Sequence, residues 1–197
     1  AFSAVTIVVA LMLDNAMTAL GTTAGIRSDL PERITPEWLL GALVLAPIIE
    51  ELLFRAGMRQ AWYALAIGPA LVLLMAAPLT RPTFIALAAW VALVVIVNRA
   101  LAWSVFRAPG RRFAFARRYI THFGWIFWTY TLAFALMHMG NYRADGAARA
   151  LLPLLVLPQL AIGIVLGFLR LRDGLRSSML MHLIVNVCAT VGMALAG

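Results

Sequence analysis

The sequence places charged side chains inside an otherwise apolar stretch, LVLAPIIEELLFRAGMRQ, at residues 43–60. A charged group near the centre of a bilayer costs about 2.5–3.5 kcal/mol, so Glu50, Glu51 and Arg55 need partners or a function. At about 100° per residue, Glu51 and Arg55 share one helix face in the favoured acid-then-base order, which predicts an ion pair between them. The Glu50 side chain points about 100° away, so the ion pair does not explain why a second carboxylate is present.

Two later apolar stretches carry further reactive side chains. His138 ends FALMH, and His182 and Asn186 share a helix face in HLIVN. Because the chain has few polar groups, we interpret these three residues and the carboxylates as lining one hydrated cavity. A glutamate and a histidine can deprotonate a water molecule, and an imidazole and an amide can stabilise the oxyanion of a tetrahedral intermediate. This set of side chains indicates hydrolysis of an amide bond.

Other nucleophiles and motifs are less favoured. The sequence contains no G-x-S-x-G and no H-E-x-x-H motif, and no serine shows a paired base. Cys188 is rotated about 120° from His182 on a helix, which predicts a buried inert thiol. His122 is rotated about 160° from His138, so we interpret it as an interfacial or packing residue.

The composition requires a membrane around these residues. The chain is 63% hydrophobic and only 12% charged, with a mean hydropathy of +0.93, which is outside the range of soluble domains. Apolar runs of about 20 residues predict an all-α, polytopic membrane helix bundle of about seven transmembrane helices with a buried polar active-site cavity. The predicted segments are 2–24, 37–58, 61–79, 83–106, 119–140, 151–170 and 176–196.

The arginines predict the orientation of the bundle. All sixteen basic residues are arginine, and ten of them fall in loops on one side of the predicted membrane. The positive-inside rule therefore predicts a multi-pass protein of the cytoplasmic membrane, with its N-terminus in the cytoplasm and its C-terminus outside. The net charge of +8 is explained by this orientation, and no nucleic-acid partner is expected. The five arginines on the other side are Arg27, Arg33, Arg81, Arg143 and Arg149.

Three motifs in order carry a family resemblance. EELLFR, FALMH and HLIVN resemble the EExxxR, FxxxH and HxxxN/D motifs of the CPBP family, which includes CAAX proteases and bacteriocin-processing (Abi) proteins. The resemblance covers roughly residues 37–190. It implies a glutamate-dependent intramembrane endopeptidase that cuts a membrane-embedded or membrane-anchored peptide or protein. No cofactor and no metal ion is expected.

The resemblance also implies roles for individual residues. Glu50 would be the base and His138 its partner, while His182 and Asn186 would stabilise the oxyanion. The remaining motif residues, Glu51 and Arg55, would hold the site together. A prenylated tail, a leader peptide and a sorting tail remain alternative substrates.

The spacing of the motifs predicts one domain over 1–197, with an inserted helical hairpin and an arginine-rich cytoplasmic loop over 61–118. To share a water molecule, Glu50 and His138 must face one cavity at the same depth. The second helix is therefore expected to continue past Arg55 to about Gln60, and the fifth to run beyond Met139 or bend.

Two other functions stay open. One is a zinc-dependent membrane hydrolase, with Glu50, Glu51, His138 and His182 as metal ligands. The other is a non-enzymatic membrane scaffold or bacteriocin-immunity-type protein that keeps the polar residues for structure.

Overall fold

The computed structural model describes residues 2–28, 34–59, 63–64 and 109–196, together with five residue pairs between 85 and 100. Over these residues the chain is all-α except for two short antiparallel strands, β1 (Arg27–Ser28) and β2 (Tyr142–Arg143). The chain divides into two compact units. One comprises Ala1–Arg55 with Thr131–Gly197, and the other comprises Ala56–Tyr130.

The helices confirm the predicted all-α class. They are α1 (Phe2–Thr23), α2 (Pro36–Leu40), α3 (Ala46–Phe54), α4 (Pro109–Thr121), α5 (Phe123–Met137), α6 (Leu152–Leu155), α7 (Leu157–Arg172) and α8 (Leu175–Ala196). A π-helical segment, Gly41–Leu45, joins α2 to α3. Three 3-10 helices lie at Ala56–Arg59, His138–Asn141 and Gly146–Leu151.

Within the described residues, two helical stretches are long and apolar enough to cross a membrane: Gly146–Arg172 and Leu175–Leu195. A third crossing results if Phe113–Thr121 and Phe123–Asn141, which meet at a bend of 58°, form one span. The predicted segments 61–79 and 83–106 lie largely outside the described residues, and the predicted segments 2–24 and 37–58 are not among these spans. The number of seven crossings therefore stays a prediction.

The predicted segment 37–58 is helical but is not a single α-helix. Thr35 caps its first turn by accepting the Trp38 backbone N–H at 3.2 Å, and Pro36 occupies the first helical position, where no hydrogen bond is lost. Pro47 has no N–H and its ring conflicts with the carbonyl four residues earlier, which is that of Leu43. The π-helical turn at Gly41–Leu45 widens the helix at this point and accommodates the proline.

The second and fifth predicted segments continue past Arg55 and Met139, respectively, as expected, but they do so as 3-10 helix and not as α-helix. The α-helix α3 ends at Phe54, and only the 3-10 helix Ala56–Arg59 follows Arg55. One reason is that the Arg55 carbonyl, which would continue the α-helical ladder, accepts Nε–H of Arg170 at 2.9 Å. Beyond Met137 the fifth segment continues as the 3-10 helix His138–Asn141, so it extends past Met139 as expected.

The helix α7 lies at the centre of the first unit, where it packs against both α1 and α8, and α8 also packs against α3. The tight α7–α8 connection is closed by Gly174 at φ 102°, whose N–H bonds to the Leu169 carbonyl at 3.1 Å. Gly163 allows a close approach of α7 to its neighbours. A Cβ at this position would lie 3.1 Å from the Phe134 ring and 3.3 Å from both Thr131 and the Arg55 guanidinium.

We expect Gly163→Leu to destabilise the protein by about 1–3 kcal/mol, because the added side chain overpacks against Phe134 and Arg55. The measurement is the thermal unfolding temperature of the purified protein in detergent. Gly192→Leu on α8 is the matched control, since a Cβ at that glycine meets no atom within 4 Å. Equal unfolding temperatures for the two variants would contradict the packing described for α7.

Candidate active site

A carboxylate and two imidazoles meet between α3, the 3-10 turn after α5, and α8. Oε2 of Glu50 lies 4.0 Å from Nε2 of His138 and 3.6 Å from Nε2 of His182. The Glu50 and His138 side chains are 16% and 17% exposed, and the His182 side chain is 3% exposed. The sequence analysis predicted that Glu50 and His138 face one cavity. The structure places the two side chains next to each other, and His138, but not Glu50, lines the cavity described below.

The neighbouring carboxylate, Glu51, has a different environment. It is fully buried, its Oε1 lies 3.1 Å from Nδ1 of His182, and its Oε2 accepts the hydroxyl hydrogen of Ser178. Nε of Arg55 lies 3.8 Å from Oε1, and both side chains have no exposed surface, so the predicted ion pair is present and buried. These contacts fix Glu51 on several sides and leave it little freedom to react.

The Arg55 guanidinium is held by groups that the sequence pattern did not indicate. Its terminal Nη2 donates to the Gly163 carbonyl at 3.4 Å, and its central carbon lies 3.9 Å from the centroid of the Phe134 ring. The face of an aromatic ring attracts a cation, and the attraction grows when both groups are desolvated. Phe134 and Glu51 together therefore compensate a charge that apolar surroundings would otherwise disfavour.

The hydrogen bonds of the imidazoles define which nitrogen faces Glu50. Nδ1 of His138 lies 2.8 Å from the Phe134 carbonyl, which can only accept, so Nδ1 carries the hydrogen. In the same way, Nδ1 of His182 donates to the Glu51 carboxylate. Phe134 packs edge-on against both rings, with centroid distances of 4.8 and 5.7 Å. As a result, both Nε2 atoms are directed at Glu50.

Asn186 is positioned by the irregular helix before α3. Its Nδ2 donates to the Ala42 carbonyl at 2.8 Å. That carbonyl lacks a helical donor because the Ala46 N–H bonds to Gly41 and the next nitrogen belongs to Pro47. Asn186 therefore satisfies a backbone group that the π-helical turn leaves open.

Three of the six predicted site residues line a cavity together with two polar groups that lie on α1 and α7. The cavity has a volume of about 130 Å³ and is lined by His138, His182, Asn186, Asp14 and Gln159, among others. Asp14 and Gln159 also line a second cavity of about 530 Å³. In the described part of the chain, no group of three or more His, Cys, Asp or Glu side chains is arranged to hold a metal ion.

Sequence reasoning missed Ser178, Gly163 and Arg170. Ser178 lies four residues before His182, so the same i, i+4 spacing that joined His182 to Asn186 could have placed it on this face. No comparable signal marked Gly163 or Arg170, because their contacts with Arg55 join residues more than a hundred positions apart. His122 lies outside the site, at the bend between α4 and α5, and is exposed.

Three comparisons with known proteins were informative to different degrees, and one of them identifies a family. A search of curated proteins and a search of solved structures each find no significant match. The profile of the family described as Type II CAAX prenyl endopeptidase Rce1-like matches residues 33–188, which is more than half of the chain and includes the residues of all three motifs. The chain, with its apolar membrane-spanning helices, therefore belongs to the Rce1-like type II CAAX prenyl endopeptidases of the CPBP family, which are glutamate proteases.

Proposed function

We propose that the protein hydrolyses a peptide bond of a membrane-embedded or membrane-anchored substrate, with Glu50 as the general base. One observation carries the proposal. Oε2 of Glu50 is buried, accepts no hydrogen bond from the described protein groups, and lies within 4.0 Å of two imidazole nitrogens. Buried polar atoms almost always have a partner, and this oxygen is suited to bind the water that reacts.

The first step is activation of water. In the proposed mechanism, the water donates hydrogen bonds to the Glu50 carboxylate and to the Nε2 lone pair of His138. Glu50 takes one proton while the water oxygen attacks the carbonyl carbon of the scissile bond, which forms a tetrahedral oxyanion. The Phe134 carbonyl holds His138 in the tautomer that this step needs.

Stabilisation of the oxyanion is assigned to His182 and Asn186. In this role Nε2 of His182 donates a hydrogen to the oxyanion while its Nδ1–H stays with Glu51. The Asn186 amide has a second hydrogen besides the one on Ala42. When the intermediate collapses, Glu50 returns its proton to the leaving nitrogen and the C–N bond breaks.

An extended peptide is the substrate class that the cavities support. The cavity at the histidines is narrow, about 130 Å³, and Asp14 and Gln159 connect its lining to that of the larger cavity of about 530 Å³. Carboxylate and amide groups inside a membrane helix mark a hydrated path more often than a lipid contact. The substrate chain would run along this path, and a prenylated tail, a leader peptide and a sorting tail each fit the proposal.

The proposed architecture around this site is a single domain over 1–197 with seven crossings, a cytoplasmic N-terminus and an external C-terminus. It rests on the apolar segments and on the arginine distribution of the sequence. The hairpin and arginine-rich loop over 61–118 belong to the same proposal.

Replacing Glu50 by Gln tests the catalytic assignment. We expect cleavage to fall by about 10²–10⁴-fold, because the amide cannot accept the proton of water. The unfolding temperature should stay close to that of the wild type, since Glu50 accepts no hydrogen bond from the described protein groups. The measurement compares peptides released from membranes containing either form, and Glu37→Gln, an exposed change on α2, is the control. Unchanged cleavage by Glu50→Gln would exclude Glu50 as the base, and the absence of any cleavage by the wild type would favour the scaffold function.

Unlike Glu50→Gln, the substitution Glu51→Gln should lower the stability of the protein. We expect a loss of about 3–5 kcal/mol, because Arg55 would keep its charge in a fully buried position without a counter-ion. Ser178→Ala removes only one donor to Glu51 and should cost about 1 kcal/mol. Thermal unfolding in detergent measures both changes. A Glu51→Gln protein as stable as Glu50→Gln would contradict the structural role of Glu51.

Metal removal separates the proposal from zinc-dependent hydrolysis. We expect cleavage to survive strong chelators, and the purified active protein to contain less than one equivalent of zinc by elemental analysis. A known zinc peptidase in the same detergent is the control for chelation. Loss of cleavage that zinc restores would assign the site to metal-assisted hydrolysis.

A further inference from the structure

The helix α4 (Pro109–Thr121) has an amphipathic surface that the proposed hydrolysis does not use. Its sequence, PGRRFAFARRYIT, contains four arginines and no acidic residue. Phe113, Ala116 and Ile120 follow the spacing i, i+3, i+7 and therefore share one face, which we call the apolar stripe. Phe113 is 71% exposed, Ile120 is 73% exposed, and Ala116 is exposed as well. A continuous exposed stripe of apolar side chains marks a contact surface.

Arginines lie at the border of the apolar stripe and on the side of the helix away from it. At about 100° per residue, Arg117 is about 40° from Phe113, while Arg111 and Arg118 are about 140–160° from it. All three arginines are exposed. Within the part of the chain that the structure describes, no ion pair involves these three guanidinium groups. Their charges are therefore available to an external anion.

A different side of α4 is attached to the protein. The Tyr119 hydroxyl donates to the Gly57 carbonyl at 3.0 Å, and its ring packs against that of Phe123 at a centroid distance of 5.9 Å. Gly57 belongs to the same compact unit as α4. Tyr119 lies about 100° from Ile120 around the helix. The attachment through Tyr119 thus fixes the rotation of α4 and leaves the apolar stripe at the surface.

The bend between α4 and α5 determines how α4 meets a membrane. The helix axis changes direction by 58° between Phe113–Thr121 and Phe123–Asn141. The second part contains α5, which has no charged residue and is suited to hydrocarbon. The first part contains Arg117 and Arg118, and charged side chains are strongly disfavoured in hydrocarbon. When α5 crosses the membrane, the bend therefore inclines α4 toward the membrane plane and keeps its arginines near the headgroups.

The lipid phosphates of the cytoplasmic leaflet match this surface in chemistry and in location. Guanidinium groups bind phosphate oxygens through paired hydrogen bonds. The cytoplasmic leaflet has a negative surface potential, which attracts basic segments next to a membrane helix. The proposed orientation of the chain, which follows from its arginine distribution, places α4 on the cytoplasmic side. The charge of the helix, its exposed apolar stripe and its side of the membrane therefore agree.

We propose that α4 is an interfacial helix that binds the anionic lipids of the cytoplasmic leaflet. The apolar stripe contacts the acyl chains, and Arg111, Arg117 and Arg118 bind lipid phosphates. Basic helices of this kind bind a membrane through buried apolar area and attraction to anionic lipids together. The proposal rests on the proposed orientation of the chain and is independent of the hydrolysis. Bound lipid would hold the chain directly before α5 at a fixed depth.

Spin labels on α4 test its position in the membrane. Single cysteines replace Phe113 and Ile120 in the apolar stripe, and Ala114 and Arg118 on the other side, in a Cys188→Ala background that removes the native thiol. The full chain is reconstituted in vesicles of phosphatidylcholine and phosphatidylglycerol. The measurement compares the collision of each label with oxygen, which concentrates in lipid, and with a water-soluble nickel chelate.

We expect the labels in the apolar stripe to collide mainly with oxygen, and those at positions 114 and 118 mainly with the nickel chelate. Three results would overturn the proposal. Nickel access at all four positions would place α4 in water, and oxygen access at all four would place it inside a membrane crossing. Stripe labels that reach neither reagent would show that protein, and not lipid, covers the stripe.

Thermal unfolding tests the preference for anionic lipid. In detergent micelles, we expect added phosphatidylglycerol to raise the unfolding temperature of the full chain by about 2–4 °C relative to phosphatidylcholine when it is well above its dissociation constant. The double variant Arg111→Gln/Arg118→Gln should lose at least half of this rise. Arg172→Gln is the matched control, since Arg172 is exposed but already pairs with Asp173 at 2.9 Å. The absence of a rise, or an equal rise in the double variant, would contradict binding of lipid phosphates by α4.

Discussion

The fully buried Glu51 carboxylate is the interaction on which the site depends. It receives hydrogen bonds from Ser178 and His182 on α8 and pairs with Arg55 at the end of α3. A buried charge of this kind is tolerated only when its oxygens are fully partnered. Glu51 therefore joins two helices and at the same time sets the orientation of an imidazole. The adjacent residue, Glu50, lies about 100° away on the helix and points at Nε2 of His138 and of His182. Two identical side chains next to each other thus have different environments, and we propose a structural role for Glu51 and a chemical role for Glu50.

The burial of these charges also explains the glycine and the phenylalanine next to the Glu51–Arg55 ion pair. The buried charge of Arg55 must be stabilised by neighbouring groups, and the Phe134 ring and the Gly163 carbonyl contribute to this. Only a glycine on α7 permits this approach, since a Cβ would lie 3.1 Å from Phe134. Phe134 in turn packs against both histidine rings. The aromatic residue of the second motif therefore connects the structural ion pair to the reactive imidazoles, which gives a physical reason for its place in the motif.

The sequence predicted side-chain contacts within one helix better than contacts between helices. The Glu51–Arg55 pair and the common face of His182 and Asn186 follow from helical periodicity, and the all-α class follows from the apolar segments. The change from α-helix to 3-10 helix after Phe54 could not be predicted from the sequence, because it involves Arg170, whose position depends on tertiary packing. Ser178 was considered only as a nucleophile, although its spacing from His182 placed it on the reactive face. The contact of Asn186 with Ala42 could not be predicted, because it requires both a π-helical turn and a neighbouring helix.

The proline-induced turn before α3 has a consequence for how the chain can vary. None of the contacts described above joins Pro47 to a side chain proposed for the reaction. Proline has no backbone N–H, however, so Pro47 cannot donate a hydrogen bond to the Ala42 carbonyl. The Asn186 amide donates to the Ala42 carbonyl instead. Because the amide is planar, this hydrogen bond fixes the direction of its second N–H. A residue with an N–H in place of this proline would compete for the same oxygen and let the amide rotate. The orientation of a side chain in the middle of α8 thus depends on a proline of a different helix.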